Sequence, residues 1–289
     1  MAAASQLTVR PMFYLLLIPA LYAFQNVAAR YIQRAHLNLY AVGGFTYLFS
    51  ALIYAALFAL QPAPLQPLVF YAGLILGVLY AVTYLLFVPT LADRGVSIMA
   101  ALCQLSALFP MAGAIVIWHE QPSLVRWTGA ILCLIAMPLL ALDHGVTDTR
   151  LTWRKVLIFA GLVVFNGGVL LGFKWFEQLG RPEQFSGLML TAFATATAIM
   201  ALLWPLYRGV ASRPVIAWGL ACSLCYAGAA LAIVQALRRY EGVVVFPFAE
   251  ATAVALTVAY AALAWREIPG KAGIIGIVTV IVAAVLINL

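Results

Sequence analysis

Charge is what this chain has least of. Only 9% of its 289 residues are Asp, Glu, Lys or Arg, against roughly 25% in an ordinary soluble domain. Such poverty excludes a soluble globular enzyme. The abundance of apolar residues excludes a disordered chain, which needs low hydrophobicity and high charge density. Histidine is also scarce: His36, His119 and His144 fall between apolar runs without a metal-ligand spacing, so no metal is expected. The four cysteines, Cys103, Cys133, Cys222 and Cys225, all lie inside apolar runs. The C-x-x-C at 222–225 has no second pair, histidine or charged partner beside it and reads as packing. No G-x-x-x-x-G-K-[ST] loop offers direct ATP drive, and no H-E-x-x-H or paired carboxylate within the runs offers catalysis. The expectation is a non-enzyme without a cofactor.

What the sequence has instead is apolar length: 66% hydrophobic residues and a mean hydropathy of +1.06. A bilayer core of about 30 Å needs about 20 apolar residues per helix. Ten uncharged runs qualify, Pro11 to Ala29, Leu37 to Leu60, Leu68 to Ala92, Gly95 to Trp118 and Ser123 to Leu142, then Val156 to Phe173, Phe185 to Tyr207, Pro214 to Leu237, Gly242 to Trp265 and Gly270 to Leu289. Barrel strands would alternate with period two, whereas these runs are continuously apolar, so they are helices. The connection Asp143 to Lys155 has only 13 residues, too few for a further domain. Residues 1–10 lack the compact charged region and short apolar core of a secretory signal, and Pro11 onward reads as a retained helix. The net charge of +7 is scattered singly between spans, so nucleic acid is not an expected partner and the lipid bilayer is.

The chain answers itself. Gly95 to Leu142 placed on Gly242 to Leu289, at an offset of 147 without gaps, gives 11 identities in 48 positions. The informative part is W-x-E-x-P with a glycine seven residues later: Trp118, Glu120, Pro122 and Gly129 answer Trp265, Glu267, Pro269 and Gly276. At an offset of 146, Gly73, Gly77 and Tyr80 fall on Gly219, Ser223 and Tyr226; at 144, Arg30, Tyr31 and Gly43 fall on Lys174, Trp175 and Gly187. Two copies of a five-helix unit are implied, 11–142 and 156–289, joined by the loop 143–155. A unit that crosses five times ends on the side opposite its start, so the second copy must enter the membrane inverted. Inverted repeats of this kind are related by an axis in the membrane plane and hold substrates near the midplane, between the halves.

Ten spans in two halves, with Glu120 and Glu267 just past the fourth and ninth and Gly129 and Gly276 in the fifth and tenth, resemble the drug/metabolite transporter superfamily, specifically its EamA-like members. The resemblance implies that spans one to four and six to nine surround a central cavity while five and ten stand outside as scaffold. It implies no particular substrate, since relatives carry amino acids, nucleotide sugars, sugar phosphates, choline and drugs. Many members carry Trp-Gly early in the first span, where this chain has Leu21, Tyr22 and Ala23.

Within the spans Glu250 is the one ionisable residue at depth, about 5 Å from the middle of its helix. A charge there costs about 3 kcal/mol or more and normally faces a cavity or a partner; the alternative is a protonated side chain serving as packing glue. Polar patches accompany it: Tyr22, Gln25 and Asn26 in span one, Tyr80, Thr83 and Tyr84 in three, Gln104 in four, Asn166 in six, Tyr226 in eight and Tyr260 in nine. From these, Glu250, Gln104, Tyr22, Asn26, Tyr80, Tyr84, Asn166 and Tyr226 are the expected substrate- or proton-binding set. Aromatic rings with one carboxylate suit an organic cation or the ammonium of a zwitterion. Glu120 and Glu267, beside Arg126, Arg266 and Lys271, read as interfacial ion pairs or helix caps. Arg30 and Lys174 stand at equivalent span ends and would serve an anionic substrate only by bending inward. The Gly73/Gly77 pair reads as a close helix contact within the fold.

The resulting expectation is an all-α membrane protein, ten transmembrane helices as two inverted repeats around a central cavity, acting as a secondary active exporter or exchanger. Its cargo is expected to be a small zwitterion or cation such as an amino acid or amine, with a proton as coupling partner. An anion exchanger of the sugar-phosphate or nucleotide type and a non-transporting scaffold are the alternatives. A bacterial inner membrane and a monomer or weak homodimer complete the expectation. Counting Lys and Arg by side favours both termini outside, whereas the resemblance implies both in the cytoplasm and is given precedence.

Overall fold

Long apolar runs in lipid satisfy their backbone groups internally by coiling into helices, and helices are what forms. The computed structural model describes residues 11–142, 152–207, 209–265 and 270–287, excluding the side chains of 92–104 and of a few helix-end positions. Ten α-helices follow in order: α1 Pro11–Arg34, α2 Leu39–Leu60, α3 Pro67–Leu105, α4 Leu108–Val116, α5 Leu124–Leu142, α6 Trp153–Gln178, α7 Phe185–Leu202, α8 Arg213–Leu237, α9 Gly242–Trp265 and α10 Lys271–Ile287. A single 3-10 turn, Pro182–Gln184, leads into α7, and no strand occurs among the described residues. Seven of the helices contain stretches long and apolar enough to cross a bilayer. The protein is therefore a multi-pass integral membrane protein.

The third and fourth spans depart from expectation. The sequence suggests a break at Asp93 and Arg94, yet α3 runs through both to Leu105, and the interruption falls at Ser106 and Ala107. Charged residues between spans do not unwind a helix whose backbone bonds are made within it. Pro89 is carried within α3 as well, but at the break Pro110 has no N–H to offer the Ser106 carbonyl. That carbonyl instead accepts from Phe109 N at 3.1 Å, while Met111 N reaches Ala107 O at 3.2 Å, and the chain restarts as the nine-residue α4. Elsewhere the start of α2 is capped by Asn38, whose side chain accepts from Ala41 N at 3.1 Å and donates to Tyr207 O at 2.9 Å.

Helix pairing positions the site. α2 packs on α7 and α8, α3 on α6 and α7, α1 on α8 and α9, and α4 on α6 and α9. α5 and α10 pack chiefly on each other, with α5 also touching α9. Two of these contacts depend on missing side chains. A Cβ on Gly73 would stand 2.7 Å from Thr191 Cβ, and one on Gly77 would overlap the Ala192 carbonyl oxygen, so α3 approaches α7 backbone to backbone. Gly219 of α8 meets Phe45 of α2 in the same way. The small-residue faces are thus used inside the chain. Outward, Leu52, Ile75, Leu224, Leu263, Val278 and Ile281 are exposed, the apolar skin that lipid chains require.

Candidate functional site

Six helices, α1, α2, α3, α6, α8 and α9, enclose a cavity of ≈ 140 Å³. Tyr22 and Asn26 of α1, Tyr80 and Tyr84 of α3, Asn166 of α6, Tyr226 of α8 and Glu250 of α9 all line it. Residues from spans far apart in sequence therefore meet around one space. Gln104 lies on α3, and its side chain is outside the described residues. Tyr260 is not at the cavity; its hydroxyl meets that of Tyr31 at 3.1 Å on the exposed side of α9.

The lining keeps the sequence register. From α1 come Tyr22, Gln25, Asn26 and Ala29, and from α6 their counterparts at an offset of 144, Asn166, Val169, Leu170 and Phe173. From α3 come Tyr80, Thr83, Tyr84 and Phe87, and from α8 the residues at 146, Tyr226, Ala229, Ala230 and Ile233.

The carboxyl of Glu250 has no hydrogen-bond or ion-pair partner among the described residues, although it belongs to the cavity wall. A carboxylate away from water is costly until a proton or a cation neutralises it. Around it the wall is aromatic. Tyr47, 1% exposed, is the hub: its ring centroid lies 6.1 Å from Tyr80, 5.8 Å from Tyr84, 5.9 Å from Tyr226 and 6.1 Å from Phe193. The hydroxyls of this cluster are largely committed. Tyr47 donates to Tyr80 O at 2.9 Å, Tyr84 to Leu39 O at 2.8 Å and Tyr54 to Ala227 O at 2.9 Å. Tyr47 and Tyr84 thus offer a ligand their rings, which attract cations. Asn26 Nδ2 reaches Thr257 Oγ1 at 3.4 Å, and Asn166 Nδ2 donates to Ser106 Oγ at 2.6 Å, at the break between α3 and α4. Cys222 also lines the cavity; with Cys133 and Cys225 it is a buried free thiol.

Tyr47, Thr46 and Phe87 are cavity residues that the sequence does not single out. A signal for Tyr47 exists in Tyr54, seven residues on and so on the same face of α2, both tyrosines being buried inside an otherwise apolar span.

At the α9 N-terminus a second polar cluster forms. Lys174, 3% exposed, places Nζ 2.6 Å from Glu120 Oε1 and 3.0 Å from Glu177 Oε2. Glu120 in turn accepts from Gly242 N at 3.1 Å and Val243 N at 3.2 Å, capping α9. Arg126 pairs with Glu241 at 3.2 Å instead of with Glu120. Lys174 is therefore held by two carboxylates and does not bend into the cavity. Glu267 lies outside the described residues.

With this geometry in view, residues 9–142 match the EamA-like transporter family. The match spans α1 to α5, just under half of the chain. Members are membrane transporters of small molecules and not enzymes, and the bilayer and a small-molecule cargo are their partners. A crystal structure of a protein 14% identical to this chain shares its fold, with a TM-score of 0.76 over 96% of this chain and 95% of that one. No curated protein matches the chain in sequence.

Proposed function

We propose that this EamA-like protein is a secondary active carrier that moves a small zwitterionic or cationic metabolite, such as an amino acid or amine, by alternating access. The observation that carries the reading is the cavity itself: one carboxylate without a protein partner, Glu250, set in a wall of tyrosine rings between helices of both halves. The rings and the carboxylate favour a positive group, and no described Lys or Arg lines the space to favour an anion.

Alternating access needs two halves that can exchange roles, and the helix pairing supports that. Exchanging each helix with the one five places away turns α1 on α8 into α6 on α3, α1 on α9 into α6 on α4, and α2 on α8 into α7 on α3. It leaves α2 on α7, α4 on α9 and α5 on α10 unchanged. Such a pattern is what an inverted repeat would produce, and the register-matched cavity lining agrees with it. Glu250 then binds either a coupling proton or the cationic group of the cargo, and its occupancy biases which side the cavity faces. Because the two occupants exclude each other, exchange of one for the other follows.

The experiment is uptake into proteoliposomes of amino acids, polyamines, quaternary amines and sugar phosphates at several pH values, with wild type and Glu250→Gln. The expected result is flux of a zwitterion or amine that collapses in the variant while expression and folding persist. Flux of sugar phosphates alone, or a Gln variant with wild-type rate and pH dependence, would overturn the proposal. Background uptake of the whole panel would favour a scaffold.

A further inference from the structure

The cavity is lopsided with respect to the repeat. Ile32, near the end of α1, and Leu39, Val42, Thr46 and Tyr47 of α2 line it. Their counterparts at an offset of 144 are Phe176, near the end of α6, and residues 183, 186, 190 and 191 at the start of α7. None of these lines the space, nor among the described residues does any other of α7. Five crossings separate the end of α1 from the end of α6, so the two lie on opposite faces of the membrane. The cavity therefore extends toward the face where α1 ends and stops short of the other, which carries both termini. There Phe176 is 1% exposed and packs on Phe185 with 5.4 Å between ring centroids.

At the shut face stands the Lys174 cluster, and it ties one half of the chain to the other. Glu120, from the connection after α4, holds Lys174 of α6 and the first two N–H groups of α9. Arg126 of α5 and Glu241, just before α9, add a partly exposed pair across the same seam. Lys174 is buried, whereas Arg30, which answers it at the opposite face, is half-buried. A buried ammonium between carboxylates is strong while intact, and its partners need water once they part. Opening this face must break that contact. α9 has the means to move: Pro247 stands between its first turn and Glu250 and has no N–H for the Val243 carbonyl, so the helix can bend there.

We infer that Glu120, Lys174 and the first turn of α9 form a latch that holds the termini-bearing mouth of the cavity shut. The latch releases when α9 bends at Pro247, one turn from Glu250, so the gate and the cavity carboxylate act on a single helix. This rests on the alternating-access reading above and names the device that holds one of its states.

The test reads access to the cavity through Cys222, a free thiol in its wall. A small membrane-impermeant reagent, trimethylammonium-ethyl methanethiosulfonate, is applied to sealed vesicles of each orientation, and modification of Cys222 is followed by peptide mass. In wild type, modification from the face away from the termini should be about tenfold faster or more than from the termini-bearing face. In Lys174→Met and in Glu120→Gln the rate from the termini-bearing face should rise about tenfold or more, since a broken buried pair shifts the balance of states at least that far. Lys174→Arg, which keeps the charge, should keep the wild-type rates.

A cross-link supplies the opposite variant. A Cβ on Gly242 would stand 3.5 Å from Ala114 Cβ of α4, within disulfide reach. Ala114→Cys combined with Gly242→Cys, once oxidised, should hold modification from the termini-bearing face at background and stop proteoliposome uptake, and prior reduction should restore both. Each single substitution, treated alike, controls for the native thiols. Equal access from both faces in wild type, no modification of Cys222 from either, or unchanged rates in both Lys174→Met and Glu120→Gln would overturn the latch, as would uptake that persists in the cross-linked protein. Access rates as expected with background uptake of every cargo by wild type would overturn the transport reading and leave the latch standing. Should one latch variant fail to fold, the other and the cross-link still decide.

Discussion

The carboxylate of Glu120 joins three parts of the chain that are distant in sequence: Lys174 Nζ lies 2.6 Å from one oxygen, and the first two N–H groups of α9 donate to the pair. The negative group sits where the helix dipole favours one. Removing it leaves a buried ammonium with Glu177 as its remaining carboxylate and two helix N–H groups without an acceptor.

Glu120→Ala should consequently destabilise the protein by about 3 kcal/mol or more, the scale for breaking a buried pair, and lower the thermal unfolding midpoint in detergent by several degrees. Arg126→Ala, which removes a half-exposed ion pair with Glu241, should cost about 1 kcal/mol or less. Equal shifts in the two variants would contradict the structural role assigned to Glu120.

The contact of α3 with α7 gives a second expectation. Gly77→Ala places a methyl group against the Ala192 carbonyl and Thr195 and should cost about 1–3 kcal/mol through overpacking. At Gly44 the nearest atom to a new Cβ is Trp204 Cζ3 at 3.5 Å, ordinary contact, so Gly44→Ala should be neutral or mildly stabilising. Thermal shifts of the two purified variants compare them directly.

Tyr47 separates ring from hydroxyl. Tyr47→Phe loses only the bond to Tyr80 O and should cost about 1 kcal/mol of stability with cargo affinity nearly kept. Tyr47→Leu removes the ring at the centre of the aromatic cluster and should weaken a cationic or zwitterionic cargo severalfold, the scale of a cation–π contact. A Phe variant that loses as much affinity as the Leu variant would show that the hydroxyl, not the ring, serves the cargo.

Both termini are expected in the cytoplasm. A C-terminal tag should then resist external protease in intact spheroplasts and be cleaved once the membrane is opened. Cleavage in intact cells would assign the opposite orientation, the one that the Lys and Arg distribution favours.

Most of the helices could be read from uncharged runs, because a bilayer leaves a long apolar segment little choice but to coil. The boundary between α3 and α4 could not. Asp93 and Arg94 look like a loop in a sequence, and the effect of Pro110 acts four residues upstream, on a carbonyl rather than on its own position. Mid-span polar residues such as Tyr22, Asn166, Tyr226 and Glu250 were visible because they are expensive in lipid. Tyr47 was not singled out, since its pairing with Tyr54 on one face of α2 forms no polar patch until the rings of α3 and α8 close around it. The partner of Lys174 was equally hidden: Glu120 has Arg126 nearby in sequence, and only tertiary packing turns it toward α6 and α9.

Tyr47, Tyr54 and Tyr84 each anchor their hydroxyl to a main-chain carbonyl of another helix. Their torsions are consequently fixed before any cargo enters, and the aromatic wall has the stiffness of a mould more than the compliance of a glove. Little further ordering of these side chains accompanies binding, so differences between cargoes arise from how well each fits the standing contour. If this cavity is the cargo site proposed above, congeners too wide for it should be turned away by shape even when their charge is right.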